Sequence, residues 1–157
     1  MLLGFTAVEL AGKGEGMRLA DLVREGRLSV PPKVEPRLPE DPVTAKLAGL
    51  LHANCAACHN PLSSSEGSAT GLFLHLPSVP DGDPPFIATG LRRLTQSFVV
   101  PDRTLGVDSL VIEPGSAAHS ALALMAERRG ENQMPPLATE VRNPELSDTL
   151  ALWIDGL

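Results

Sequence analysis

Leu51-His52-Ala53-Asn54-Cys55-Ala56-Ala57-Cys58-His59-Asn60-Pro61 carries two thiols and an imidazole within five positions. Cysteines three apart share one face of a helical turn, where each sulfur can bond one former vinyl group of a porphyrin. His59 follows directly and is placed to ligate the iron, so the stretch reads as a covalent haem attachment motif. Cys55 and Cys58 are the only cysteines in the chain. No further thiol is available for an all-cysteine zinc site or an iron–sulfur cluster. A redox dithiol, or a half zinc site using His59, is the competing reading.

Working outward, Asn132-Gln133-Met134-Pro135-Pro136-Leu137 sets a methionine before two prolines. A thioether is a soft ligand suited to the open side of a haem iron, and His/Met pairs are a standard way of holding haem for electron transfer. The prolines fix their own φ angles and bias Met134 towards extended backbone, which predicts a stiff loop presenting sulfur to iron. The alternative is a core methionine beside a turn. His52, His75 and His119 are rival ligands that read more simply as surface or hydrogen-bonded histidines, with His52 also a candidate for the haem edge or a propionate. Met125 reads as core, and Met17 lies far from the motif. Arg92, Arg93, Arg103 and Arg128 are candidates for pairing with propionates.

The helices around these motifs announce themselves by their caps. Asp41 followed by Pro42 begins a helix whose Leu47, Leu50 and Leu51 form the stripe leading into Cys55. Asn143 and Pro144 begin another, with Leu146, Leu150, Trp153, Ile154 and Leu157 on one face, expected to close the core. Ser116 is expected to begin a third, with Ala118, Ala121, Leu122 and Met125 inward and Gly130 ending it. Between the cysteine motif and the methionine loop, residues 71–76, 97–100 and 109–113 are short strand candidates and residues 81–85 a turn. Ser63-Ser64-Ser65 reads as a loop.

Residues 1–40 form an N-terminal lead-in: an apolar stretch at 3–10, a glycine-rich turn at 11–16, a short helical pattern at 17–26, then a proline-rich linker. Residues 41–157 form the haem-bearing domain, large enough for a real core and suited to one haem per chain. Fourteen Gly and fifteen Pro against one Trp and no Tyr predict a loop-rich protein.

Asp and Glu number 19 against 13 Lys and Arg, with no basic run, which argues against nucleic acid as a partner. An acidic surface meets a basic patch on a redox partner more readily. No transmembrane segment is evident, and the start lacks a charged n-region and sustained apolar stretch. Haem attachment of this kind takes place outside the cytoplasmic membrane in bacteria. A periplasmic or otherwise extracytoplasmic location is therefore expected, the chain being a mature fragment or the end of a longer exported protein.

With both ligands placed, the chain resembles class I type cytochrome c domains, as found at the C-termini of larger exported bacterial haem-c proteins. The matching stretches are residues 51–61 quoted above, Glu113-Pro114-Gly115-Ser116, Gln133-Met134-Pro135-Pro136-Leu137 and Leu152-Trp153-Ile154, spread over roughly residues 41–157. The resemblance implies an all-α, cytochrome c-like fold around one haem c, axial ligation by His59 and Met134, and packing of the first domain helix on the last. The chain departs from that pattern in its long middle, expected to be a small β/loop insertion. The expected function is a monohaem electron carrier, working with a redox partner protein or an upstream domain of the same polypeptide, rather than a self-contained enzyme. Rival expectations are a haem-c enzyme or sensor with an open sixth position, and a haem-stapled partner-binding module.

Overall fold

The structure is a computed structural model that describes residues 10–11, 16–33, 38–77, 83–96, 99–100, 109–131, 133–137 and 139–157. Six α-helices and one 3₁₀ turn account for its regular structure: α1 (Leu19–Arg24), α2 (Pro42–Cys55), α3 (Glu66–Ala69), α4 (Pro85–Gly90), the 3₁₀ turn (Ala117–His119), α5 (Ala121–Glu127) and α6 (Pro144–Asp155). Among the described residues, regular structure is mostly helical with almost no strand.

Two of the three expected caps form, whereas the Ser116 side chain makes no cap hydrogen bond. The Asp41 carboxylate accepts from the Thr44 backbone N–H at 2.7 Å and the Asn143 side chain accepts from the Leu146 N–H at 3.2 Å, each satisfying an amide that a helix start leaves open. Proline follows each cap at the first helical position, where its missing N–H costs nothing.

Leu47, Ala48 and Leu51 of α2 are buried, as are Leu146, Leu150, Trp153 and Ile154 of α6, and all belong to one apolar cluster. Helices α2 and α6 pack on each other, and α6 also meets α5 and the 3₁₀ turn. Trp153 locks the α2–α6 register: its indole Nε1–H donates to Thr44 Oγ1 at 3.0 Å, while its ring stands edge-on to Phe86, centroids 5.3 Å apart. Leu157 lies beyond the last turn of α6 and is exposed, outside the predicted stripe.

The middle departs from expectation. Residues 71–76 and 109–113 are extended, yet the described residues contain only isolated bridges, Leu91 with Ile112, Leu94 with Leu110 and Leu110 with Ser120. Alternating burial of Leu72, Leu74 and Leu76 produces the period-two pattern that reads as a strand. Its backbone partners are the side chains of His52, His59 and Thr89 and the His59 carbonyl rather than a neighbouring strand. Two short helices, α3 and α4, lie within the stretch expected to be a small β/loop insertion. The third domain helix starts later than predicted, because the Ser120 hydroxyl accepts from Glu113 N–H at 2.8 Å and donates to the Ser116 carbonyl at 2.9 Å. That buried hydroxyl breaks the run into a 3₁₀ turn and α5, leaving Ala118 exposed and Met125 only half-buried.

In the lead-in, Leu19 of α1 is buried and Val23 exposed, and α1 packs on no other helix among the described residues. The apolar stretch at 3–10, most of the turn at 11–16, Pro36 and the first half of the 97–100 strand candidate lie largely outside the described residues.

Candidate functional site

Helix α2 ends at Cys55, but the chain winds on for another turn. The Cys58 and His59 amides both donate to the Cys55 carbonyl, at 3.1 and 2.9 Å. Asn60 closes this turn: its side-chain amide donates to the Ala56 carbonyl at 2.6 Å and the Ala57 carbonyl at 3.3 Å, two acceptors that a helix end leaves open. Pro61 then bars continuation. Asn60 was readable as a stop signal, an Asn–Pro pair just past a helical stretch.

His59 is buried, and its Nδ1 lies 3.2 Å from the Leu72 carbonyl oxygen. A carbonyl only accepts, so Nδ1 carries the proton and the lone pair is on Nε2. Burial holds the His59 pKa below the ordinary histidine value, against the opposing pull of the Leu72 hydrogen bond, so the ring is neutral at pH 7. A neutral imidazole with one nitrogen anchored to a backbone carbonyl is oriented to ligate a metal through the other. Leu72 gave no signal in the sequence, because its contribution is a backbone oxygen brought from thirteen residues away.

The same extended segment is fastened twice more. The Leu74 N–H donates to the His59 carbonyl at 2.9 Å and the Leu76 N–H donates to His52 Nδ1 at 2.8 Å. Residues 72–76 are thus clipped along the C-terminal turns of α2 by two histidines. His52 therefore spends a ring nitrogen on the backbone. His119 is exposed and its Nδ1 pairs with Ser116 Oγ at 2.9 Å. His75 sits edge-on to Phe73, its Nδ1 buried without a hydrogen-bond partner, and burial followed by the nearness of His52 depresses its pKa.

Neither cysteine is in a disulfide; Cys55 is half-buried and Cys58 exposed. Burial, with the Cys58 thiol adding to it, pushes the Cys55 thiol up to about 12. Such a thiol is a poor nucleophile at neutral pH, the reverse of the lowered first cysteine that a redox dithiol needs. Among the described residues no cluster of three or more His, Cys, Asp or Glu is arranged to hold a metal ion.

Met134 belongs to a different part of the fold. Its N–H donates to the Met125 carbonyl of α5 at 2.8 Å, and Gln133 braces the loop by donating to the Pro135 carbonyl and to Thr139 Oγ1, at 3.3 and 3.2 Å. Met134 is half-buried. Asn132 lies outside the described residues, as does Arg103. Arg93 is committed to the Thr70 and Thr89 carbonyls, and Arg92 is exposed with a left-handed φ of 53°. A cavity of about 500 Å³ lies at the other end of α2, between Asp41, Thr44, Leu76, Pro84 and Ile87, away from the cysteine turn. No helix among the described residues is long and apolar enough to cross a membrane.

No protein-family model, curated protein or solved structure matches this chain.

Proposed function

We propose that the chain is a monohaem c-type cytochrome domain with a cytochrome c-like fold, carrying single electrons outside the cytoplasm. The observation that carries this reading is the pairing of His59 with Leu72: an imidazole directly after two free cysteines, buried, neutral and anchored by Nδ1 so that Nε2 is the available ligand. The residues fit a covalently held haem. Cys55 and Cys58 would supply the thioethers, His59 one axial ligand and Met134 the other. Bound there, the haem iron supplies a one-electron ferric/ferrous couple.

The chain's own residues do the rest. The Leu72 carbonyl holds the imidazole in one tautomer and raises its donor strength. Gln133 and Thr139 brace the loop that offers the Met134 sulfur, so little entropy is lost on ligation. The apolar α2–α6 core disfavours extra positive charge, which, with a thioether ligand, favours the reduced state and raises the potential. Donor and acceptor would be a redox partner or an upstream domain.

The test is production in a host competent for cytochrome maturation, followed by denaturation and extraction with acidified organic solvent. Colour stays with the protein if the thioethers form; colour in the solvent overturns the reading. In the ferric wild type a weak far-red sulfur-to-iron band is expected, lost in Met134→Ala. Persistence of that band would remove Met134 as ligand, and rapid carbon monoxide binding by the ferrous wild type would favour the open-site enzyme or sensor.

A further inference from the structure

The segment after the cysteine turn is read from sequence as a serine-rich loop, yet it folds back onto Cys58. Ser65 stands at the N-cap of α3, where a serine hydroxyl ordinarily accepts from an amide of the first turn. It makes no such bond. Instead Ser65 Oγ donates to the Cys58 carbonyl at 2.8 Å, and accepts from Ser63 Oγ at 2.9 Å. Ser63 Oγ in turn accepts from the Ser65 backbone N–H at 3.1 Å. The hydroxyl is thereby aimed at Cys58 by a second hydroxyl.

One turn further on, Gly67 lies against the same residue. A Cβ there would sit 3.1 Å from the Cys58 carbonyl carbon, carbonyl oxygen and Cβ alike. Its φ lies outside the left-handed region, so conformational freedom does not call for glycine; the close approach to Cys58 does. Cys58 is the exposed member of the pair, past the end of α2, whereas Cys55 packs against the apolar core. The contacts from Ser65 and Gly67 fall on the Cys58 carbonyl and Cβ, the atoms that fix where its sulfur starts.

We infer that Ser65 and Gly67 are positioning residues for Cys58, holding its sulfur where the second porphyrin vinyl group is met. This rests on the haem-c reading above. In the step they serve, the Cys58 S–H adds across a vinyl double bond: a carbon–sulfur bond forms at the inner carbon, the S–H bond breaks, and its hydrogen passes to the terminal carbon. The addition is redox-neutral and needs no further reactant. Cys55, held by the core, closes its own bond without the clamp. A displacement of about 1 Å in a reacting group is enough to slow a positioned reaction by around a hundredfold.

The experiment expresses the full chain with a cytochrome maturation system as wild type, Ser65→Ala, Gly67→Ala, the conservative Ser65→Thr, and Cys58→Ala as a single-attachment reference. Thioethers are located by mass spectrometry of the haem peptides, and the haemochrome band reports any vinyl left unreacted. Ser65→Ala and Gly67→Ala should raise the fraction linked through Cys55 alone by about tenfold or more, with the haemochrome band shifted towards that of Cys58→Ala. Ser65→Thr, which keeps the hydroxyl, should return towards double attachment. Fully double attachment in both Ser65→Ala and Gly67→Ala overturns the proposal. So does a loss of soluble haem protein in which Cys55 and Cys58 linkages fall together, since that marks a general folding role. A wild-type chain without covalent haem would instead fail the haem-c reading itself.

Discussion

His75 is the least accommodated ring in the described structure: its Nδ1 is buried without a partner and its pKa is depressed, first by burial and then by His52. The sign of the resulting pH dependence follows from linkage. In the unfolded chain His75 binds a proton near the ordinary value, 6.5; in the folded chain it does so only at lower pH. Below about pH 6.5 the unfolded state therefore holds more protons, and stability falls with pH until the folded pKa is passed. His59, depressed by burial, acts in the same direction wherever it is not ligated. The lowered carboxyls of Asp41 and Glu127 are a separate matter, since their contribution is lost only as pH falls further, through their folded pKa values. Denaturant midpoints should thus drop between pH 7 and pH 5, and His75→Gln should flatten that limb. An unchanged slope in the variant would take His75 out of the acid response.

At the scale of elements, the decisive contact is between α2 and α6, which are more than eighty residues apart in sequence and meet through Trp153 and Thr44. Thr44 Oγ1 accepts from the indole while donating to the Asp41 carboxylate at 2.7 Å. One hydroxyl thus couples the helix–helix register to the helix cap, and such chained bonds reinforce one another. Trp153→Phe keeps an aromatic ring beside Phe86 but loses the donor; Thr44→Val keeps the shape but loses the hydroxyl. A double-mutant cycle on chemical unfolding should give a coupling of about 1 kcal/mol. Additive effects would mean that the bond contributes nothing of its own to the register.

For the molecule as a whole, the cysteine turn is the C-terminal extension of the same helix whose middle forms the core with α6, so the proposed attachment chemistry would share one element with folding. Cys55 itself packs against the apolar cluster. A covalently held haem at this turn would add apolar surface to that cluster and, by binding the native state alone, raise its stability. Cys55→Ala/Cys58→Ala, made under the same maturation conditions, should melt at least several degrees below the haem-loaded chain, with Cys58→Ala between the two. Equal melting of all three would show that haem is no part of the core. The acidic balance of the chain, −6 at pH 7, belongs to this scale too, where it acts on encounter with a partner rather than on the fold.

Local chemistry was legible in the chain from the start. The caps at Asp41–Pro42 and Asn143–Pro144, the leucine and tryptophan faces of α2 and α6, and the close set of Cys55, Cys58 and His59 all follow from short-range stereochemistry, which residue order determines unaided. Tertiary structure decided what short range cannot specify. It brought the Leu72 carbonyl to His59 and so selected the imidazole tautomer. It turned an alternating apolar run into a histidine-clipped segment instead of a strand, and diverted Ser65 from its helix cap to Cys58. Each of these depends on a backbone oxygen or hydroxyl finding a partner at least seven residues away, and sequence pattern records side-chain type and spacing but not which distant groups will meet.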